Sequence, residues 1–259
     1  MRLVSYNIHK GIGGQDRRYR LERIVDVLMH LQADFMCLQE VTIDLPRTST
    51  HDQARILAER FKPMNSFFQQ NVYWKRGGYG NLILSRWKLR EQHRICLRYG
   101  QKKPRGAQLV VIDTPDGPLR LVNWHLGLSE RERLWQAAKL LHHETWKATM
   151  LPNTLITGDF NDWRNTLERS VLSQHQLQHV AHPPSRFRSF PAMLPMMSLD
   201  KAFHHPGVVI EHASVCNTQL ARQASDHLPL VIDFQLADSQ ELVQPTSAGW
   251  DYSRLAGER

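Results

Sequence analysis

The sequence predicts an α/β protein with sheets inside and helices outside, and three observations carry that prediction. The first 41 residues read strand, helix, strand: β-formers over 2–8, helical spacing from Arg18 onward, and an apolar run over 34–41 that ends on Glu40-Val41. Residues 66–126 then hold a succession of β-rich segments with no helical pattern between them, which points to antiparallel or mixed pairing. The third observation is the stretch Leu155-Ile156-Thr157-Gly158-Asp159-Phe160-Asn161-Asp162-Trp163, an apolar strand cut short by glycine and followed at once by acids and an amide. The chain has 259 residues, 41% of them apolar, enough for a sizeable core, and 22% charged, too few for general disorder. No internal repeat or linker divides it, so one domain over 1–236 is expected, followed by a polar, loosely held tail over 237–259.

The elements follow in order. Leu3, Val4, Tyr6 and Ile8 make the first strand, with Asn7 near its end. The loop Lys10-Gly11-Ile12-Gly13-Gly14 lacks the closing Lys-Ser/Thr of a phosphate-cradling P-loop, which excludes that motif. Leu21, Ile24, Val25, Leu28 and Leu31 lie on one helical face. Residues 42–50 read as a polar loop and 51–60 as a short helix. Phe67, Phe68, Val72, Tyr73 and Trp74 make a strand, Gly77-Gly78-Tyr79-Gly80 a turn, and 81–85 another strand. Strands over 89–97, 106–112 and 119–126 follow, the last two joined by a hairpin turn at Asp116-Gly117. Ser129-Glu130-Arg131-Glu132 is a capping box, so a helix starts there and its apolar face runs to Ala148. After the Asp159 strand, Asp162 can cap a further helix with Leu167 and Val171 facing inward. Residues 183–195 carry four prolines and read as an irregular loop, and 196–203, 208–217 and 228–236 as the last strands.

Composition narrows the class of function. Cys37, Cys96 and Cys216 are odd in number and far apart, which excludes a disulfide framework and a cysteine metal cluster and suits a reducing compartment. The first residues do not form a signal peptide, and no apolar run reaches the length of a membrane span; a cytoplasmic protein is expected. The net charge of +8, with arginine clusters at 17–20 and 98–105, tilts the partner toward polyanions.

Polar residues terminate the apolar strands: Asn7, Glu40, His125, Asp159 with Asn161, Asp200, and Asp226 with His227. Each alone has an ordinary explanation. Glu40 suits a solvated strand end, His125 a satisfied core histidine, Asp200 beside Lys201 a surface ion pair, and Asp226-His227 a turn. Asp159 and Asn161, two apart, share one side if the strand continues. Together the residues look like a site, because sheet folds build sites from the loops at strand ends. Several carboxylates repel one another unless a cation lies among them, and oxygen donors suit Mg²⁺ or Mn²⁺ better than zinc.

Ser5-Tyr6-Asn7-Ile8, Leu38-Gln39-Glu40-Val41, Gly80-Asn81-Leu82-Ile83-Leu84-Ser85, Asn123-Trp124-His125-Leu126, Gly158-Asp159-Phe160-Asn161, Ser198-Leu199-Asp200 and Ser225-Asp226-His227-Leu228-Pro229 occur in one order from residue 5 to 229. In that order they resemble the endonuclease/exonuclease/phosphatase superfamily of metal-dependent phosphoesterases. The resemblance implies a four-layered α/β sandwich, two packed mixed sheets flanked by helices, with the site at one edge. It implies that Glu40 is the principal ligand of Mg²⁺ or Mn²⁺, with Asn7 and Asp226 beside the ion. Asp159 resembles the residue that orients and deprotonates the attacking water, and Asn161 a donor to a nonbridging phosphate oxygen. His227 resembles the imidazole that holds the phosphate, Asp200 the carboxylate that orients it, and His125 a second phosphate-facing histidine that could act as general acid. Asn81, Arg105 and His9 are the expected substrate-binding residues. Two features depart from the pattern. His9 stands where abasic-site endonucleases carry a metal-binding aspartate, and Tyr79 is the nearest counterpart of their phosphate-side tyrosine.

The expected activity is therefore water attack on a phosphoester by a monomer. Nucleic acid is the first expected substrate, motivated by the basic charge. A lipid headgroup or small phosphoester is the alternative, motivated by tryptophans such as Trp74 and Trp163. A non-catalytic binding module is the third reading, and the near-complete set of site residues argues against it.

Overall fold

The computed structural model describes residues 1–181 and 183–237; the expected tail beyond Ala237 lies outside the described residues. Two six-stranded mixed sheets pack face to face. The first holds β1 (Arg2–Asn7), β2 (Phe35–Ile43), β3 (Asn65–Tyr73), β4 (Gly78–Ser85), β11 (Val208–Val215) and β12 (Leu230–Leu236), in the order β11-β12-β1-β2-β4-β3. The second holds β5 (Leu89–Cys96), β6 (Gly106–Thr114), β7 (Gly117–His125), β8 (Thr154–Asp159), β9 (Gln178–His179) and β10 (Asp200–His204), in the order β5-β6-β7-β8-β10-β9. Helices α1 (Leu21–Leu31), α2 (Gln53–Arg60) and α5 (Gln219–Ala224) cover the first sheet. The second is covered by α3 (Glu130–Leu141) and α4 (Glu144–Ala148). This is the expected four-layered α/β sandwich.

The period-2 alternation of the strands divides the core into three parts. Val4, Tyr6, Met36 and Leu38 pack under the helices of the first sheet, whereas Leu3, Phe35 and Cys37 face the other sheet. In the second sheet Leu121 and Leu155 face inward and Val122, Trp124 and Ile156 face α3 and α4. Continuing the inward phase to the ends of these strands places Asn7, His125, Asp159 and Asp200 on the inner faces at one edge of the sandwich. Alternation has thus already decided where the polar strand ends meet.

Several elements differ from expectation, each for a local reason. The helix starting at Ser129, whose hydroxyl accepts from the Glu132 N–H, stops at Leu141; His143 caps a separate α4. Gly78 and Gly80 lie inside β4, where a Cβ at Gly80 would stand 1.8 Å from the Gln69 carbonyl of β3. They are required by close strand approach rather than by a turn. Asp162 accepts from the Leu167 N–H (2.8 Å) and the Thr166 hydroxyl (2.9 Å), but what it caps is a π-helical turn, Glu168–Leu172, with Leu167 buried and Val171 half-buried. β10 begins only at Asp200, and α5 and the two-residue β9 had no counterpart in the expectations.

Candidate active site

Three side chains and one backbone N–H converge on one carboxylate. Asp159, at the end of β8, is buried, and its Oδ2 accepts from Asn7 Nδ2 (3.0 Å). His125 Nε2 lies 3.3 Å from the same oxygen and His227 Nε2 3.8 Å. The other oxygen, Oδ1, accepts from the Asn161 N–H (3.0 Å). The contacts follow from pairing register. His125 and Asp159 are partners across parallel β7 and β8, Asp200 and Asp159 across antiparallel β8 and β10, and Asn7 reaches over from the first sheet. Gly158 makes the approach possible: it has φ +142°, and a Cβ there would lie 2.0 Å from the Trp124 carbonyl oxygen.

Two carboxylates side by side on one sheet face repel. His227 lies between them, with Nδ1 2.8 Å from Asp200 Oδ2 and Nε2 toward Asp159. Burial disfavours its charge, yet Asp200 and Asp159 outweigh burial and raise its pKa to about 10, so His227 is an imidazolium at neutral pH. Burial, reinforced by Asp200, raises the Asp159 pKa to about 6 against the pull of His227. His125 is different: burial, with Arg105 and His227 nearby, holds it well below the usual histidine range, and it is neutral. Ser189 also donates to Asp200 Oδ2, and the Phe190 ring lies 4.8 Å from the His227 ring. Neither Ser189 nor Phe190 was expected from the sequence; both come from the proline-rich loop, which has no periodicity to read.

Glu40 reaches the site by a bulge. The β2–β4 register shifts between Leu38 and Val41, Glu40 has φ +59°, and both Leu38 and Val41 pack under the helices. Gln39 faces inward to Asn123 (2.8 Å), and the extra residue turns Glu40 out of the alternation. Lys10 Nζ pairs with Glu40 Oε2. Burial would raise the Glu40 pKa, but Lys10, His9 and Arg105 bring it below its ordinary value. Lys10 also lies over the Tyr79 ring (5.1 Å), as does Lys103 (5.3 Å). Lys10 is the main residue missed from the sequence; its signal was a cation three residues after Asn7, in a loop read only for its glycines.

The remaining expected residues divide. Arg105 is buried, its Nε has no hydrogen-bond partner among the described residues, and its charge is felt at Glu40, Tyr79 and His125. His9 Nδ1 lies 3.6 Å from Asp226 Oδ1. Asn81 is buried and donates to the Gly106 carbonyl (3.2 Å), a bond between the sheets. The strand geometry does not persist past Asp159. Asn161 has φ +51° and its amide donates to the Leu126 carbonyl (3.0 Å), which ties the β8 and β7 loops together. Asp200 is no surface ion-pair partner: it is buried, and Lys201 turns away to Asn165.

The oxygens of Glu40, Asp226 and Asn7 suit an ion that takes one or two carboxylates and keeps most of its waters, as magnesium does. Asp226 Oδ1 is buried without a hydrogen-bond partner among the described residues, which is the behaviour of a ligand oxygen. Among those residues no three His, Cys, Asp or Glu side chains form a group that could hold a metal ion, so an ion here would rest on two carboxylates and an amide oxygen. The donor set therefore fits a hard ion, with the Lys10 ammonium as its competitor at Glu40.

Two packed mixed sheets with a carboxylate–imidazole cluster at one edge define a class, and comparison with known proteins agrees. The chain belongs to the Endonuclease/Exonuclease/phosphatase family, whose sequence model matches residues 4–227. Members are hydrolases acting on phosphoesters and generally use divalent metals. The uncharacterized protein YbhP of Escherichia coli K12 is 27% identical over 260 residues, covering 91% of this chain and 96% of YbhP. Among solved structures, an endonuclease/exonuclease/phosphatase from Beutenbergia cavernae superposes with a TM-score of 0.79 at 22% identity, over 92% of this chain and 72% of that one. The mannosyl-6-phosphatase Bt3783 of Bacteroides thetaiotaomicron superposes with a TM-score of 0.71 at 16% identity, over 91% of this chain and all of that one. These structural likenesses show the fold.

Proposed function

We propose that this chain is a divalent-metal-dependent phosphoester hydrolase in which Asp159 activates water. The observation that carries the reading is the pairing of a raised, buried carboxylate with a carboxylate-flanked imidazolium across 3.8 Å. A base with a pKa near neutrality and an acid that keeps its proton are the two partners that hydrolysis requires.

In this reading Asp159 accepts the water proton as the new P–O bond forms, and His227 Nε2 gives its proton to the leaving oxygen as the old bond breaks. Asp200 holds the His227 ring through Nδ1. His125, neutral, acts as a hydrogen-bonding group beside Asp159 rather than as the acid. Arg105 and Lys10 offer cationic groups to phosphoryl oxygens. A Mg²⁺ or Mn²⁺ held by Glu40, Asp226 and Asn7 would neutralise phosphoryl charge. The basic charge suits both substrate classes expected from the sequence. Exposed aliphatic side chains around the site favour the lipid-headgroup class over nucleic acid.

The test is turnover of bis-p-nitrophenyl phosphate and of the monoester after EDTA treatment and metal return, for wild type and Glu40→Ala. Activity restored by Mg²⁺ or Mn²⁺ and absent from the variant supports the reading. Activity indifferent to EDTA, or equal in the variant, contradicts it.

A further inference from the structure

The loops at the site end of the molecule expose apolar bulk that no core requires. β1, β2, β7 and β8 run toward the site and β4, β6, β10 and β12 run away from it. The segments 8–20, 44–52, 74–77, 97–105, 126–129, 160–167, 183–199 and 225–229 therefore all lie at that end. Six of the eleven large apolar side chains exposed among the described residues belong to them: Trp74, Leu128, Trp163, Met193, Leu194 and Met196. Leu128 is 76% exposed and Leu194 68%.

Each is tied to the site by a short path. Trp74 packs on Tyr79 (5.4 Å), which lies beneath the Lys10 of the Glu40 pair. Leu128 follows Leu126, whose N–H donates to the Asp159 carbonyl (2.9 Å). Trp163 is two residues beyond Asn161. The segment 193–196 is anchored by the Ala192 N–H on the Asp226 carbonyl (2.7 Å) and by Phe190 against His227. The apolar tips thus all belong to loops at the site end of the sheets. The same segments carry fourteen arginines and lysines against five carboxylates, so the apolar tips rise from a basic field.

Basic loops alone suit any polyanion. Surfaces that bind single-stranded nucleic acid add flat aromatic faces for stacking bases, whereas four of the six exposed side chains here, Leu128, Met193, Leu194 and Met196, have no aromatic ring. Aliphatic tips, tryptophans and neighbouring Lys or Arg together match a bilayer interface, where apolar groups enter the acyl boundary and cations meet headgroup phosphates. Trp74-Lys75-Arg76 and Trp163-Arg164 have that composition within single loops.

We infer that this end of the molecule docks on an anionic phospholipid surface, with Leu128 and segment 193–196 inserted and the basic loops on the headgroups. The site is thereby turned toward phosphoesters at the membrane surface, an orientation that rests on the hydrolase reading above.

Co-sedimentation with vesicles tests it, comparing phosphatidylcholine alone with phosphatidylcholine containing phosphatidylglycerol. Wild type should partition onto the anionic vesicles. The variant Leu128→Ser/Leu194→Ser/Met196→Ser should bind about tenfold or more weakly, and Lys75→Glu/Arg76→Glu, both exposed and outside the site, should independently lose the preference for anionic lipid. Solution turnover of bis-p-nitrophenyl phosphate at the wild-type rate shows that each variant is folded. Wild type that ignores anionic vesicles, a serine variant that binds like wild type, or salt-steep DNA binding without vesicle binding overturns the inference. Vesicle binding without turnover of any phosphoester supports the surface and sinks the hydrolase reading; turnover without vesicle binding does the reverse.

Discussion

Asp159 Oδ2 is the point where Asn7, His125 and His227 meet, and its chemistry is set by them. The Asp159 pKa is raised to about 6, so the carboxylate takes up a proton as pH falls through that value. The activity–pH profile should accordingly show an acid limb near pH 6, and a rate flat down to pH 4 would contradict the assignment. The folded pKa of His227 lies above its ordinary value, so it stays charged through neutrality and is lost only as pH rises toward 10. Imidazole nitrogen resonances of the metal-free protein at pH 8 should show His227 doubly protonated and His125 singly. Asp200→Asn removes the nearest charge and should bring His227 down toward the ordinary range. Lys10 has a separate role as the cation already at Glu40. Its replacement by methionine should tighten Mn²⁺ binding by about fivefold, the equivalent of about 1 kcal/mol for one half-buried ion pair. Calorimetry showing weaker binding in that variant would mean that Lys10 orients Glu40 rather than competes for it.

At the scale of elements, the site depends on backbone that brings neighbouring strands unusually close. Gly158→Ala forces a Cβ toward the Trp124 carbonyl at a positive φ and should cost at least ~2 kcal/mol, read from urea unfolding. Asp162 anchors the loop after β8, and its Oδ1 lies 3.5 Å from the buried Arg133 guanidinium. Asp162→Ala would leave that cation unpaired and should cost about 3 kcal/mol; a loss under 1 kcal/mol would show the loop is held otherwise. Most elements were legible because their periodicity was strong. Leu21 to Leu31 could only be one face of a helix, and the Asp159 strand ended where glycine and acids said it would. What escaped had little pattern. α5 is six residues long, and Gly80 is a glycine whose reason lies in β3 rather than in its own neighbourhood. The strand ends of the site were readable as residue types. The Glu40 bulge, the Asn161 turn and the proline-loop contacts of Ser189 and Phe190 were not, since each is settled by tertiary contact.

For the molecule as a whole, the sandwich gathers inward-facing polar strand ends at one edge and leaves the loops at that end basic and apolar. Helices cover both outer faces, and the site lies at one end of the sheets, where the inward-facing strand ends meet. The net charge of +8 could be read from composition, but its concentration at that end required the topology. The account stands on Asp159 as the base within this arrangement. The most direct measurement is the turnover of bis-p-nitrophenyl phosphate by Asp159→Asn, paired with calorimetry of Mn²⁺ binding to the same protein. The account predicts a rate loss of about 10²–10⁴-fold, as for removal of a general base, with metal binding within a few-fold of wild type. A variant that retains wild-type turnover would contradict it.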